Sequence, residues 1–129
     1  MPIILTILRW TVRVTGLLAL LLGLGFWTGT GFNLLSLHQT LGLVMSASLI
    51  WISLVGFVRS MSPVLSGMAL LCGLALPEIG NIQGRLLPGQ NHWLIEALHL
   101  VLGVGAIVLA ELIGKILRTR PDPALVRGV

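Results

Sequence analysis

The sequence predicts an all-α integral membrane protein, a four-helix bundle that crosses the bilayer four times. Of its 129 residues, 56% are hydrophobic and only 9% are charged, and the mean hydropathy is +1.03. So few polar groups cannot cover a water-soluble globule of this size. The apolar residues also form four continuous stretches, each near the ~20 residues with which a helix crosses hydrocarbon. Stretches this long do not alternate as barrel strands do, so helices are the fitting element.

The predicted helices belong to a single domain, 1–129, and cover residues 7–28, 34–58, 63–80 and 92–117, followed by an irregular tail, 118–129.

Local signals support the ends of these helices. Asn33 and Ser62 are predicted to cap the second and third helices, and Pro63 suits a first helical turn. Pro77 is expected to kink or end the third helix near the outer side.

The first helix has the weakest signal, because Arg9 and Arg13 interrupt its apolar run. Two arginines before a short leucine-rich segment also resemble a signal peptide. No small-x-small cleavage site follows this segment, which favours a first transmembrane helix.

The basic residues predict the orientation in the membrane. All but one of the eight lysines and arginines fall at the amino end, in the second connection or in the tail, and only Arg85 lies in the third connection. This positive-inside pattern predicts that both termini are cytoplasmic. It also explains the net charge of +4 and the pI near 11.3 without nucleic acid as a partner. The single cysteine, Cys72, excludes an intrachain disulfide and covalent c-type haem, and it is expected to be a small buried hydrophobe.

Two of the three histidines occur in the same setting, LHQTLG around His38 and LHLVLG around His99. A gap-free alignment of the second helix with the fourth matches His38 with His99, Gly42 with Gly103, and an arginine at the end of each helix. Helices 1–2 and 3–4 are therefore predicted to form a degenerate repeat. Each histidine precedes its matching arginine by about 31 Å of helix, close to the hydrocarbon thickness. His38 and His99 should thus lie at equal depth towards the outer face, on helices that run in the same direction.

An imidazole within hydrocarbon is costly without partners, so a matched pair indicates function. A haem between two helices needs an axial nitrogen from each side and room for its flat ring. Gly42 and Gly103 lie one turn after the histidines on the same helix faces, where they can supply that room. The pair therefore predicts a non-covalent, bis-histidine haem b with His38 and His99 as the axial ligands of the iron.

Other polar residues near the fourth helix are candidates for contacts with this cofactor. His92, Glu96 and His99 share one helix face. His92 and Arg85 are predicted to contact a haem propionate, and Glu96 is predicted to orient a ring or relay a proton. Asn81, Gln83 and Asn91 are further donors in the same outer segment.

Competing interpretations of the histidines use other metals. Glu96 and His99 form a Glu-x-x-His half-motif, but the second half and two further carboxylates of a di-iron site are missing. A mononuclear zinc or copper site from His38, His92, His99 and Glu96 stays open. Glu111, on the cytoplasmic half of the fourth helix, is expected to pair with Lys115 at the surface.

These features resemble the small four-helix membrane b-type cytochromes over roughly Leu17 to Leu117. The chain is also similar to uncharacterised small bacterial membrane proteins with a Gln-x-x-Leu-Leu-Pro-Gly…His-Trp…His segment, here Gln83 to His99. The resemblance implies a bacterial inner membrane location and histidines on two helices that hold a haem. Two-haem relatives have four ligating histidines, whereas this chain has three.

The expected function is electron transfer by an outer-side haem b, an electron carrier rather than a catalyst. One haem near one face does not carry electrons across the whole bilayer. The expected partners besides lipid are quinol, which would give a quinone site, or a larger respiratory or photosynthetic membrane complex. A structural or accessory subunit without a redox role, a haem carrier and a homo-oligomer remain alternatives.

Overall fold

The computed structural model describes residues 2–59 and 61–119. These residues form four long helices: α1 (Pro2–Trp27), α2 (Leu35–Val58), α3 (Pro63–Ile82) and α4 (His92–Thr119). Short 3₁₀ helices, Phe32–Leu34 and Gln83–Arg85, precede α2 and follow α3. All four long helices are long and apolar enough to span a membrane. The prediction of an all-helical multi-pass chain is thereby confirmed. α4 continues to Thr119, two residues beyond its predicted end, and the rest of the predicted tail, 120–129, lies outside the described residues.

Several helix ends differ from those that the local sequence signals predicted. α1 begins at Pro2 and includes both arginines. α3 continues through Pro77 to Ile82, because a helix within a bundle tolerates one missing backbone donor. Asn33 lies inside the first 3₁₀ helix, and the residue that precedes α2 is Leu34. Ser62 does precede α3, with Pro63 in the first turn, although its hydroxyl makes no capping hydrogen bond.

The helices form a bundle in which α1 and α3 each pack against both α2 and α4, and α2 also contacts α4. Small side chains permit this close approach, as is usual between membrane helices. Ala69, Ala106 and Ala110 are fully buried. The Ser53 hydroxyl donates to the Ser66 carbonyl oxygen at 2.6 Å, which joins α2 to α3. Cys72 is buried, as its sequence setting predicted.

The outer surface of the bundle is strongly apolar. Large hydrophobic side chains are exposed on every long helix, among them Leu21, Trp51, Leu71, Val101 and Val108. In water such a surface would drive aggregation, whereas in a bilayer it contacts lipid tails.

An ion-paired cluster joins α1 to α4. The Arg9 Nη2 lies 2.5 Å from the Glu111 Oε2, and the Arg13 Nε and Nη2 lie 2.5 and 2.7 Å from Glu111 Oε1 and Oε2. Arg9 is only 7% exposed. Glu111 was expected to pair with Lys115 on its own helix, but it pairs with Arg9 and Arg13 of α1 instead. The two arginines do not end α1, because the Glu111 carboxylate offsets part of their charge within the bundle.

We expect Glu111→Gln to destabilise the folded protein by on the order of 2 kcal/mol. Removing one partner of a fully buried pair costs about 3–5 kcal/mol, and the Glu111 side chain is 31% exposed, which lowers the effect. Unfolding in detergent by titration with a denaturing detergent measures the change. Lys115→Gln, one turn further along α4, is the matched control and should leave the midpoint nearly unchanged. Equal shifts in the two variants would show that the cluster does not stabilise the fold.

Candidate functional site

The two histidines of the repeated setting lie together between α2 and α4. Their ring centroids are 6.2 Å apart and their planes are inclined by 52°. His38 is in the first turns of α2 and His99 is in the second turn of α4, so both rings lie towards the same end of the bundle. Both side chains are half-buried. The structure therefore brings these two predicted residues together.

The ring of His38 is held by α1. Its Nδ1 lies 2.9 Å from the Ala19 carbonyl oxygen. A carbonyl oxygen only accepts, so Nδ1 carries the proton and, in the neutral ring, Nε2 keeps its lone pair. Phe26 packs edge-on against the same ring, with centroids 5.3 Å apart. Histidines that ligate metals usually donate their second ring N–H in this way, which fixes the tautomer and orientation of the ring.

Each histidine also lies against a glycine of the preceding helix. A Cβ on Gly23 of α1 would lie 3.4 Å from the His38 Cε1, and one on Gly80 of α3 would lie 3.1 Å from the His99 Cε1. Larger residues at these positions would push the rings away. His99 differs from His38 in its hydrogen bonding. The His99 Nδ1 is buried and has no hydrogen-bond partner within the described parts of the chain.

A cavity of about 260 Å³ adjoins the two rings and is lined by residues of all four long helices. Its wall is mainly apolar, with Leu20, Leu24, Leu76 and Leu100 among the lining residues. Pockets for small organic ligands are also mainly apolar, and they typically occupy about 300–1,000 Å³, so this cavity is slightly smaller than most of them. The cavity is thus an apolar space beside two neighbouring imidazoles.

Gly42 and Gly103 keep part of this space open. Both line the cavity, and a Cβ at either position would meet nothing within 4 Å. Glycines that serve helix packing differ, since a Cβ on Gly16 would lie 2.8 Å from the Met45 sulfur and one on Gly73 would lie 2.9 Å from Ile50 Cγ1. The two glycines that follow the histidines therefore do not mark a close helix contact. They leave room.

The other predicted site residues are only partly at the cavity. Glu96 lines it, together with the rim residues Gln39, Asn81 and Gln83. His92 and Arg85 are not among the lining residues. The His92 Nδ1 lies 3.1 Å from the Leu86 carbonyl oxygen, and its Nε2 lies 3.8 Å from the Glu96 Oε1. Arg85 is exposed in the second 3₁₀ helix.

Sequence reasoning missed the contributions of α1 and α3. The sequence patterns singled out neither Gly23 nor Gly80, and they did not indicate the Ala19 carbonyl group. A glycine does lie near this end of both α1 and α3. The 61-residue offset that matches His38 with His99, however, pairs Gly23 with Gly84 and Ala19 with Gly80, so the repeat alone does not identify Gly80.

The described residues offer no alternative cluster for a simple metal ion. Over 2–59 and 61–119, no group of three His, Cys, Asp or Glu side chains is placed to hold one. A mononuclear zinc site normally takes three or four such ligands. The geometry at His38 and His99 instead provides two imidazoles beside an apolar cavity, which suits a ligand that brings its own equatorial donors.

Comparison with known protein families, curated proteins and solved structures gives no match. The class of this protein is therefore defined by its fold and site: an all-helical chain with four potential membrane spans and a facing histidine pair beside an apolar cavity.

Proposed function

We propose that this chain binds one non-covalent haem b between His38 and His99 and serves as a membrane electron-transfer protein. The observation that carries the proposal is the separation of the two rings. Two imidazoles on opposite sides of one metal, with metal–nitrogen bonds of about 2.1 Å, have centroids roughly 6.5 Å apart. The observed separation of the ring centroids is 6.2 Å, close to that value.

The surroundings of the pair also fit this cofactor. The mainly apolar wall suits the faces of a porphyrin ring, and Gly42 and Gly103 leave space beside the imidazoles. Gln39, Asn81 and Gln83 line the cavity, and their side-chain amides can donate to propionate carboxylates. These amides are better placed for that role than Arg85, which is exposed outside the cavity.

When bound, haem b supplies a one-electron redox centre. The protein contributes the axial nitrogens, a fixed His38 tautomer and a low-dielectric pocket, all of which set the reduction potential. Because the pair lies towards one end of the bundle, electrons would enter and leave near one membrane face. Under the positive-inside rule that face is the outer side of a bacterial inner membrane, with cytoplasmic termini. Quinol or a larger membrane complex is the fitting partner there, and Trp27 at the cavity offers an aromatic surface to a quinone ring.

The absorption spectrum of the protein, purified from haem-replete cells, tests this proposal. We expect a coloured preparation that contains one haem per chain and whose reduced form shows the sharp, intense α-band of a six-coordinate bis-histidine haem. Titration of haem into the protein, purified without it, should saturate at the same ratio. A colourless preparation that takes up no added haem would contradict the proposal and leave a structural subunit as the better interpretation.

A further inference from the structure

A second cavity lies at the opposite end of the bundle from the histidine pair. It occupies about 270 Å³ and is bordered by Thr6, Arg9, Trp10 and Arg13 of α1 and by Arg118 of α4. Glu111, which pairs with two of these arginines, is about 18 Å along α4 from His99. This cavity is thus separate from the proposed haem site.

Within residues 2–59 and 61–119, the positive charge at this cavity exceeds the negative charge that pairs with it. Three guanidinium groups border it, whereas the carboxylate that the structure pairs with Arg9 and Arg13 is the single Glu111. Surplus charge within or beside hydrocarbon is costly unless a counter-ion accompanies it. An anion in this cavity would supply the missing charge.

One of the arginines also has an unused donor. Arg9 is 7% exposed, and its buried Nε has no hydrogen-bond partner among residues 2–59 and 61–119. A buried N–H without an acceptor costs about 1–3 kcal/mol, more in a charged group. The Arg13 side chain is 39% exposed, so its guanidinium can reach a ligand from the lipid side. The Arg9 Nε itself packs against Gly114 of α4, so an anionic group in the cavity would take its hydrogen bonds from Arg13 and Arg118 and only electrostatic attraction from Arg9.

The setting indicates a phosphate group. Guanidinium groups bind phosphate oxygens through paired hydrogen bonds. Trp10 is 58% exposed on the lipid-facing surface, and the Arg13 guanidinium lies 4.8 Å from the Trp10 ring centroid. Exposed tryptophan beside arginine is typical of the headgroup level of a bilayer.

We propose that this cavity binds the phosphate group of an anionic phospholipid. Arg118 and Arg13 contact the phosphate oxygens, Arg9 provides charge from behind, and Trp10 lies beside the glycerol and upper acyl region. Free inorganic phosphate presents the same chemistry to the arginines, and the test separates the two sources. The proposal does not depend on haem.

Native mass spectrometry of the full chain, released from vesicles of equal phosphatidylcholine and phosphatidylglycerol, tests the inference. The wild-type protein should retain phosphatidylglycerol in preference to phosphatidylcholine. Arg118→Gln should lower that preference about tenfold, the typical effect of losing a hydrogen bond to a charged group. Lys115→Gln is the matched control, because it removes the same charge from an exposed residue of α4 that does not border the cavity.

A parallel measurement follows the thermal midpoint of both variants in neutral detergent with added inorganic phosphate. Stabilisation by phosphate that Arg118→Gln weakens, together with no lipid preference, would assign the site to free phosphate rather than to lipid and overturn the proposal. Equal loss of lipid preference in the two variants would show only a general charge effect and would also overturn it.

Discussion

Replacement of His38 or His99 by alanine is expected to abolish tight haem binding. Loss of a residue that merely supports a metal ligand typically costs about 10–100-fold in affinity, so loss of an axial ligand should exceed about a hundredfold. Any haem that remains should be five-coordinate. Absorption spectra and haem titrations of the purified variants measure both effects.

The third histidine provides the internal control for this experiment. His92 faces the Leu86 carbonyl oxygen and Glu96, and it does not line the cavity. His92→Ala should therefore keep the six-coordinate spectrum. The alanine variants of the paired histidines can also be tested with free imidazole, which should restore six-coordination by entering the vacated space. If His92→Ala lost haem as His99→Ala does, the ligand on α4 would be His92.

His38 and His99 also differ in the hydrogen bonding of their Nδ1 atoms. His38 has a fixed tautomer because its Nδ1 lies 2.9 Å from the Ala19 carbonyl oxygen. The His99 Nδ1 is buried with no partner in the described parts of the chain. An unpartnered buried donor or acceptor is unfavourable, and ligation of a metal through the His99 Nε2 would leave this Nδ1 without the second hydrogen bond that usually orients a ligating histidine. In the absence of haem, His99 is accordingly the less well satisfied of the two.

The sequence predicts those features of the structure that depend on a single helix, such as its length and the depth of its residues in the membrane. Apolar runs of sufficient length predicted four helices, since hydrocarbon leaves the backbone no other way to satisfy its hydrogen bonds. The equal spacing from each histidine to a terminal arginine gave equal depth, and two helices that run in the same direction can then bring His38 and His99 together.

Contacts between helices that are not equivalent in the repeat could not be predicted from the sequence in this way. Arg9 and Arg13 weakened the prediction for α1, because their partner Glu111 lies at the far end of the chain and only the bundle brings them together. The i+4 rule pointed to Lys115 instead. Likewise, Gly23 and Gly80 could not be distinguished from packing glycines until the position of each imidazole ring was known.

Leucine at Gly103 is expected to block haem binding while the protein stays folded. A Cβ at this position meets nothing within 4 Å, and the residue lines the cavity beside His99. The new side chain would therefore enter the open space without a clash. Leucine also favours helix over glycine by about 0.5–1 kcal/mol, so the thermal midpoint of the haem-free protein should not fall.

Two matched variants make this result specific to the cavity. Gly105, on the same helix, also has open space at its Cβ but does not line the cavity, so Gly105→Leu should bind haem as the wild type does. Gly73→Leu should show the opposite pattern of effects, because a Cβ there would lie 2.9 Å from Ile50 Cγ1 and 3.3 Å from the Ser46 carbonyl oxygen. Overpacking of this kind costs about 1–3 kcal/mol. Haem titration and thermal unfolding of the three variants separate loss of space from loss of fold. Undiminished haem binding by Gly103→Leu would mean that the cofactor does not occupy this cavity.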